Sequence, residues 1–144
     1  AHLEMGQSAP LLPGVVQLTR LHNTGAAWSS FSGKTGLLAI VTIVLMLAVA
    51  WLLVKKIVRH PLGQWSLAII LGGGIGNLID RVRLGYVVDM LDTMFMDFPV
   101  FNVADVFVVC GTVCALIYYL AFYSKSDEKN WGNKVDGTDP AANK

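Results

Sequence analysis

The sequence predicts an all-α integral membrane helix bundle with three transmembrane helices and a small extracytoplasmic segment that contains β structure. Three observations carry this expectation. Of 144 residues, 54% are hydrophobic and only 15% are charged, whereas soluble domains carry about 25% charge. Mean hydropathy is +0.56. The charges are also unevenly placed: no Asp, Glu, Lys or Arg falls between Lys34 and Lys55, between Arg59 and Asp80, or between Asp105 and Lys125. At about 1.5 Å per residue, a helix over each of these stretches reaches across a hydrocarbon core of about 30 Å.

Taken in order, residues 1–34 form an extracytoplasmic N-terminal segment. Pro10, Pro13 and Gly14 punctuate it, Val15 to Leu21 reads as a short strand rich in β-branched residues, and His22 to Gly33 reads as a loop. Trp28 and Phe31 have the character of interfacial aromatics. Helices are expected over 35–54, 61–80 and 104–123, the second diluted by Pro61, Gln64 and the glycines at 72, 73, 74 and 76. Residues 35–123 make the membrane core. Residues 124–144, polar with little to bury, read as a flexible cytoplasmic tail.

Orientation follows from the positive-inside rule. The short link between the first two helices holds Lys55, Lys56 and Arg59 with no acid, and is therefore cytoplasmic. The segment from 80 to 105 then lies outside, with Asp80, Asp89, Asp92, Asp97 and Asp105 against Arg81 and Arg83. The opening AHLEM reads as a cloning residue, and no basic stretch followed by an apolar one marks a signal peptide. Three spans with an external N-terminus point to a missing leading helix.

Several function classes fall away. A net charge of +1 does not suit nucleic-acid binding, which needs a basic face. Cys110 and Cys114 share a helix face but have no nearby His or Cys to complete a metal site, and read as small apolar packing residues. GGGIGNLIDR at 72–81 lacks the Lys-Ser/Thr of a phosphate loop. Ser29 and Ser30 sit in no nucleophile elbow. No metal and no cofactor is expected.

Ionisable groups at the edge of membrane helices are costly and therefore point to function. Asp105 begins the third helix and Asp89 lies 16 residues earlier. If the intervening loop folds back, the two carboxylates meet, and such a pair shares a proton, one member acting as base on water. The same residues support a structural reading, since Asn102-x-x-Asp105 has the form of a helix N-cap with an acid at the third position. Gly72 and Gly76, four apart, suit close helix approach. Asn77 and Asp80 suit hydrogen bonding within the bundle, and Arg81 suits an acid or a lipid phosphate.

Three ordered segments, HNTGAAWS at 22–29, GGGIGNLIDRVRLGYVVDML at 72–91 and FNVADVF at 101–107, resemble the motif set of signal peptidase II, the lipoprotein signal peptidases. The resemblance spans roughly residues 11–123. It implies a bacterial inner-membrane aspartic endopeptidase that cleaves prolipoproteins just before a diacylglyceryl-modified Cys, with Asp89 and Asp105 as catalytic dyad. It further implies Asn23, Gly25, Asn77, Arg81 and Asn102 around the substrate, lipid-modified prolipoproteins and membrane lipids as partners, and sensitivity to globomycin-type inhibitors. The family has four helices, the first preceding the proline-rich segment, so a truncated chain lacking one wall of its pocket is expected. Trp28 stands where Phe is usual. Two other readings stay open: a proton- or cation-relay subunit using Asp80, Asp89 and Asp105, and an inactive truncated scaffold.

Overall fold

In the computed structural model, residues 3–26 and 30–123 are described. Trp28, the adjoining Ala27 and Ser29, and the expected tail at 124–144 lie outside the described residues. Three long apolar helices, α1 (Thr35–Val54), α2 (Pro61–Leu84) and α3 (Val103–Ala121), are able to span a membrane. Three strands, β1 (Ser8–Leu12), β2 (Val16–Asn23) and β3 (Val87–Thr93), form an antiparallel sheet in the order β1-β2-β3.

The helices start and stop where local chemistry dictates. At α2, Pro61 occupies the first turn, where its missing N–H costs nothing, and the His60 imidazole accepts from the Leu62 N–H at 3.2 Å. Gly85 closes α2 in a left-handed conformation, φ 82°. The helix therefore runs one turn past the expected end at 80, and the extra turn carries Arg81 and Arg83 at its negative pole. No residue of α1 is buried, the pattern of a helix whose partners are largely lipid.

Helix contact depends on small residues, but on only one member, Gly76, of the pair read from the sequence. A Cβ at Gly72 meets nothing within 4 Å, so this glycine stands at no close approach. Its neighbour Gly73 does: a Cβ there lies 2.5 Å from the Ala104 carbonyl of α3, and one at Gly111 lies 3.0 Å from the Ser66 carbonyl of α2. Gly76 faces Ala104 at 3.1 Å. The contacting stripe is thus Gly73 and Gly76 on α2 against Ala104, Val108 and Gly111 on α3.

The sheet sits at the end of the bundle where α2 finishes and α3 begins. β2 starts and ends one to two residues later than expected, so His22 and Asn23 are strand rather than loop. β1 lies where Pro10 and Pro13 suggested only punctuation; Pro10 is tolerated because β1 is an edge strand. β3 falls inside what read as a loop. Its register sets Leu21 opposite Asp89 and Asn23 opposite Val87. Beyond β3 the chain folds back, with the Leu91 N–H donating to the Phe101 carbonyl at 2.7 Å and the Phe101 N–H returning to Leu91 at 3.0 Å. That return delivers Asn102 and α3 beside β3.

Candidate active site

Val87 and Asp89, two apart on β3, share its inward face and are 2% and 1% exposed. A carboxylate this deeply covered requires partners, and amides supply them. Asn23 donates its Nδ2–H to Asp89 Oδ2 at 2.9 Å, and Asn102 donates to Asp89 Oδ1 at 2.8 Å. Asp105 is held by a capping box: its backbone N–H donates to Asn102 Oδ1 at 3.0 Å, and the Asn102 N–H donates to Asp105 Oδ2 at 3.1 Å. Asn77 closes the circuit, donating to Asp105 Oδ1 at 2.7 Å and accepting from Asn102 Nδ2 at 3.0 Å. Asn102 and Asn77 therefore stitch the two carboxylates together, and every oxygen of both receives an N–H.

Arg81 lies one helical turn beyond Asn77. Its guanidinium donates to the Gly25 carbonyl at 3.3 Å and the Asn77 carbonyl at 3.4 Å, while its buried Nε has no partner among the described residues. Gly25 is fixed from the other side by its N–H donating to Asn23 Oδ1 at 2.8 Å. A Cβ at Gly25 falls 2.6 Å from the Ser30 carbonyl, so the turn after β2 closes only on glycine. Burial pushes the Asp89 carboxyl above its usual range and the Asp105 charge adds to the rise. Donation from Asn23 and Asn102 and the Arg81 charge oppose it.

A cavity of about 770 Å³ opens on this cluster. Asn23, Asn77, Arg81, Asp89 and Asp105 line it, with Phe98 to Phe101, Val106 and Val109 as its apolar wall. Gly25 and Asn102 act from behind, through the bonds just given. All seven residues singled out in the sequence are thus brought into one network. The apolar wall was not foreseen; the Phe-Pro-Val-Phe run beside a membrane helix was the available signal. Asp80 stands apart, its carboxylate accepting from the Val88 N–H at 3.1 Å, and so ties α2 to β3. No cluster of His, Cys, Asp or Glu able to hold a metal occurs among the described residues.

The fold and site define a polytopic membrane protein with two amide-bridged carboxylates at one end of its helices. A family model described as "Signal peptidase (SPase) II" matches residues 1–121, and the chain belongs to that family. It is 42% identical over 137 residues to the lipoprotein signal peptidase of Enterococcus faecalis, covering 95% of this chain and 82% of that one. The Lactococcus lactis subsp. cremoris lipoprotein signal peptidase is 42% identical over 123 residues, covering 83% of this chain and 79% of the relative. Two solved structures, each described as a bacterial membrane enzyme structure by the in meso method, superpose with TM-scores of 0.76 and 0.75 at 32% and 33% identity. They cover 85% and 84% of this chain and 77% and 79% of their own. The chain is accordingly a multi-pass bacterial membrane enzyme with the activity of an aspartic-type lipoprotein signal peptidase, which implies prolipoprotein substrates.

Proposed function

We propose that Asp89 and Asp105 are the catalytic dyad of this peptidase, and the observation that carries the proposal is their linkage through Asn77 and Asn102 at the mouth of a cavity. Two carboxylates in one desolvated site cannot both ionise cheaply, so one proton is shared between them. One member takes a proton from a water that attacks the scissile carbonyl; the other gives its proton as the tetrahedral adduct collapses, and the leaving amine departs protonated. Asn23, Gly25, Asn77, Arg81 and Asn102 position the dyad and the peptide, with Arg81 lining the cavity and held by the Gly25 carbonyl.

The substrate in this reading is a prolipoprotein cleaved immediately before its diacylglyceryl-modified Cys. Its acyl chains remain in lipid against Val106 and Val109 while the peptide enters the polar end of the cavity. The basic Lys55, Lys56 and Arg59 support a cytoplasmic position for the opposite end of the bundle, and in this reading the dyad works at the extracytoplasmic face of the inner membrane. Residues 1–34 supply two of the three strands of the outer sheet, residues 35–123 form the peptidase core, and 124–144 the cytoplasmic tail. Globomycin-type cyclic peptides occupy the same cavity. A relay role for Asp80, Asp89 and Asp105 has weaker support, because Asp80 is tied to β3 and does not line the cavity.

Purified enzyme given the same precursor with and without its diacylglyceryl group tests the substrate reading by mass spectrometry of the products. A single cut before the modified Cys, and none in the unmodified precursor, is expected. Equal cleavage of both, or a cut elsewhere, contradicts it.

A further inference from the structure

Beyond the cavity, the far edge of the sheet is built from two neighbouring pieces of chain. Between β1 and β2 the Val15 N–H donates to the Leu12 carbonyl at 3.0 Å, with Pro13 and Gly14 between them and Gly14 at φ 76°, the pattern of a type II turn. Val16 stands opposite Thr93, and the Met94 N–H donates to the Val15 carbonyl at 2.9 Å. The β1–β2 turn and the chain leaving β3 therefore lie side by side. They present Leu11, Leu12, Val15, Met94, Phe95 and Met96, all between 39% and 65% exposed. Residues 9–16 and 93–96 carry no charged side chain. Apolar residues clustered in this way mark a contact surface, whereas single scattered ones do not.

Behind this edge a polar row crosses all three strands. The Ser8 and Thr19 hydroxyls share a hydrogen bond of 2.7 Å, and Thr19 and Gln17 both donate to Asp92 Oδ2, at 3.0 and 2.8 Å. The depth of the edge follows from the strand return. Leu91 bridges Phe101, the residue before the Asn102 cap of α3, and Met94 follows Leu91 by three residues, about 10 Å of strand. Because α3 is long and apolar enough to span a membrane, its first turn lies near the hydrocarbon boundary, beyond which the headgroup zone extends about 5–7 Å. The apolar edge is thus tethered within reach of that zone. Along the chain it leads to Val103 and Phe107, both exposed at the start of the α3 span. Lipid meets that surface, and lipid accepts apolar side chains without a matched shape, as a second protein surface would not.

We propose that Leu11, Leu12, Val15, Met94, Phe95 and Met96 insert into the leaflet at the sheet end of the bundle, leaving Ser8, Gln17, Thr19 and Asp92 among the headgroups. The sheet is then held at both ends, by the helices at one and by lipid at the other. The tip touches no reacting group. It fixes the tilt of β2 and β3, the strands that carry Asn23 and Asp89. Its insertion stands independently of the role assigned to the two carboxylates.

The test is electron paramagnetic resonance of the full chain in phospholipid vesicles, with a nitroxide at Leu12→Cys, Phe95→Cys or Ser8→Cys in a Cys110→Ala, Cys114→Ala background. Collision with oxygen, which concentrates in lipid, is compared with collision with a water-soluble nickel chelate. The ratio of oxygen to nickel access should be severalfold higher at Leu12 and Phe95 than at Ser8. A further pair of changes, Leu11→Asp with Met96→Asp, should expose the Phe95 label to nickel, because carboxylates are expelled from the apolar layer. Its unfolding midpoint in detergent should stay near that of the labelled parent, which separates loss of insertion from loss of fold. Equal nickel access at all three sites overturns the proposal. So do tip labels shielded from both reagents with spin–spin broadening, which would seat a second copy of the chain there. Unchanged shielding of Phe95 in the folded Asp variant overturns it as well, since a protein contact would then be covering the tip.

Discussion

The two ends of this bundle contrast sharply. At the sheet end, buried polar groups dominate: Asp89 and Asn102 are 1% and 6% exposed, and their bonds reach β2, α2 and α3 together. At the opposite end, the core is apolar and aromatic. Tyr118 and Ile57 are buried, His60 stacks on Tyr118 and Phe122, and charge is kept outward on Lys55, Lys56 and Arg59. In lipid there is little hydrophobic gain from bringing helices together, so close contact and hydrogen bonds decide the arrangement. The sheet end is a single polar circuit in which loss of one amide leaves several groups without partners. The other end is contact between rings and can absorb change.

The largest effect expected from this contrast is at Asn102. Asn102→Ala removes the α3 cap, at about 1–2 kcal/mol, and takes a donor from Asp89 and from Asn77 at once. Peptidase turnover should fall on the order of 100-fold, as when one preorganised donor is lost from an active site, with the unfolding midpoint lowered in the same sample. If Asn102→Ala is as active as the parent, the circuit is structural only.

Adjacent glycines sharpen the comparison next. Gly73→Val places its side chain into the Ala104 carbonyl and Val108, and should cost about 1–3 kcal/mol as overpacking. Thermal unfolding in detergent measures it, and an unchanged midpoint removes the close α2–α3 approach from the account.

A subtler effect is the pH dependence carried by Asp89. Its folded-state pKa lies above the ordinary 3.8 because burial disfavours the charge. The folded chain therefore holds a proton where the unfolded chain has released it. The contribution of this carboxyl to stability is greatest at low pH and is lost as pH rises from about 3.8 through the raised folded value. Asp89→Asn, which cannot ionise, escapes that loss. Relative to the parent, its unfolding midpoint should stand higher at pH 7 than at pH 4, by a difference that shrinks steadily as pH falls. A difference independent of pH removes burial as the cause.

The smallest effect belongs to Gly72→Ala. A methyl there meets nothing, and alanine is the better helix former by about 1 kcal/mol, so stability should hold or rise slightly. Loss of stability at Gly72 beside tolerance at Gly73 would invert the assigned helix phase.

These cases also mark what could be read from the sequence. The helices were legible because a charge-free run of membrane length has few alternatives in lipid. Their rotational phase was not: glycines at 72, 73, 74 and 76 offer contact on several faces, and only the position of Ala104 and Val108 selects Gly73. β3 was hidden because its inward face alternates Val87 with Asp89, so a buried acid breaks the apolar alternation that marks a strand. The carboxylate pair and its surrounding amides were legible as motifs. Which amide bridges which oxygen depends on the Leu91–Phe101 return, a pairing that no local pattern specifies.

The central claim is that Asp89 and Asp105 act together on one bond. Its most direct test is single-turnover cleavage of a diacylglyceryl-modified prolipoprotein by the parent, Asp89→Asn, Asp105→Asn and the double variant, each checked for an intact fold by circular dichroism and unfolding midpoint. The account predicts losses of about 1,000-fold or more for either single change, with the double no worse than the singles, because one proton-sharing unit is lost only once. A folded single variant that retains cleavage within a fewfold of the parent would contradict it.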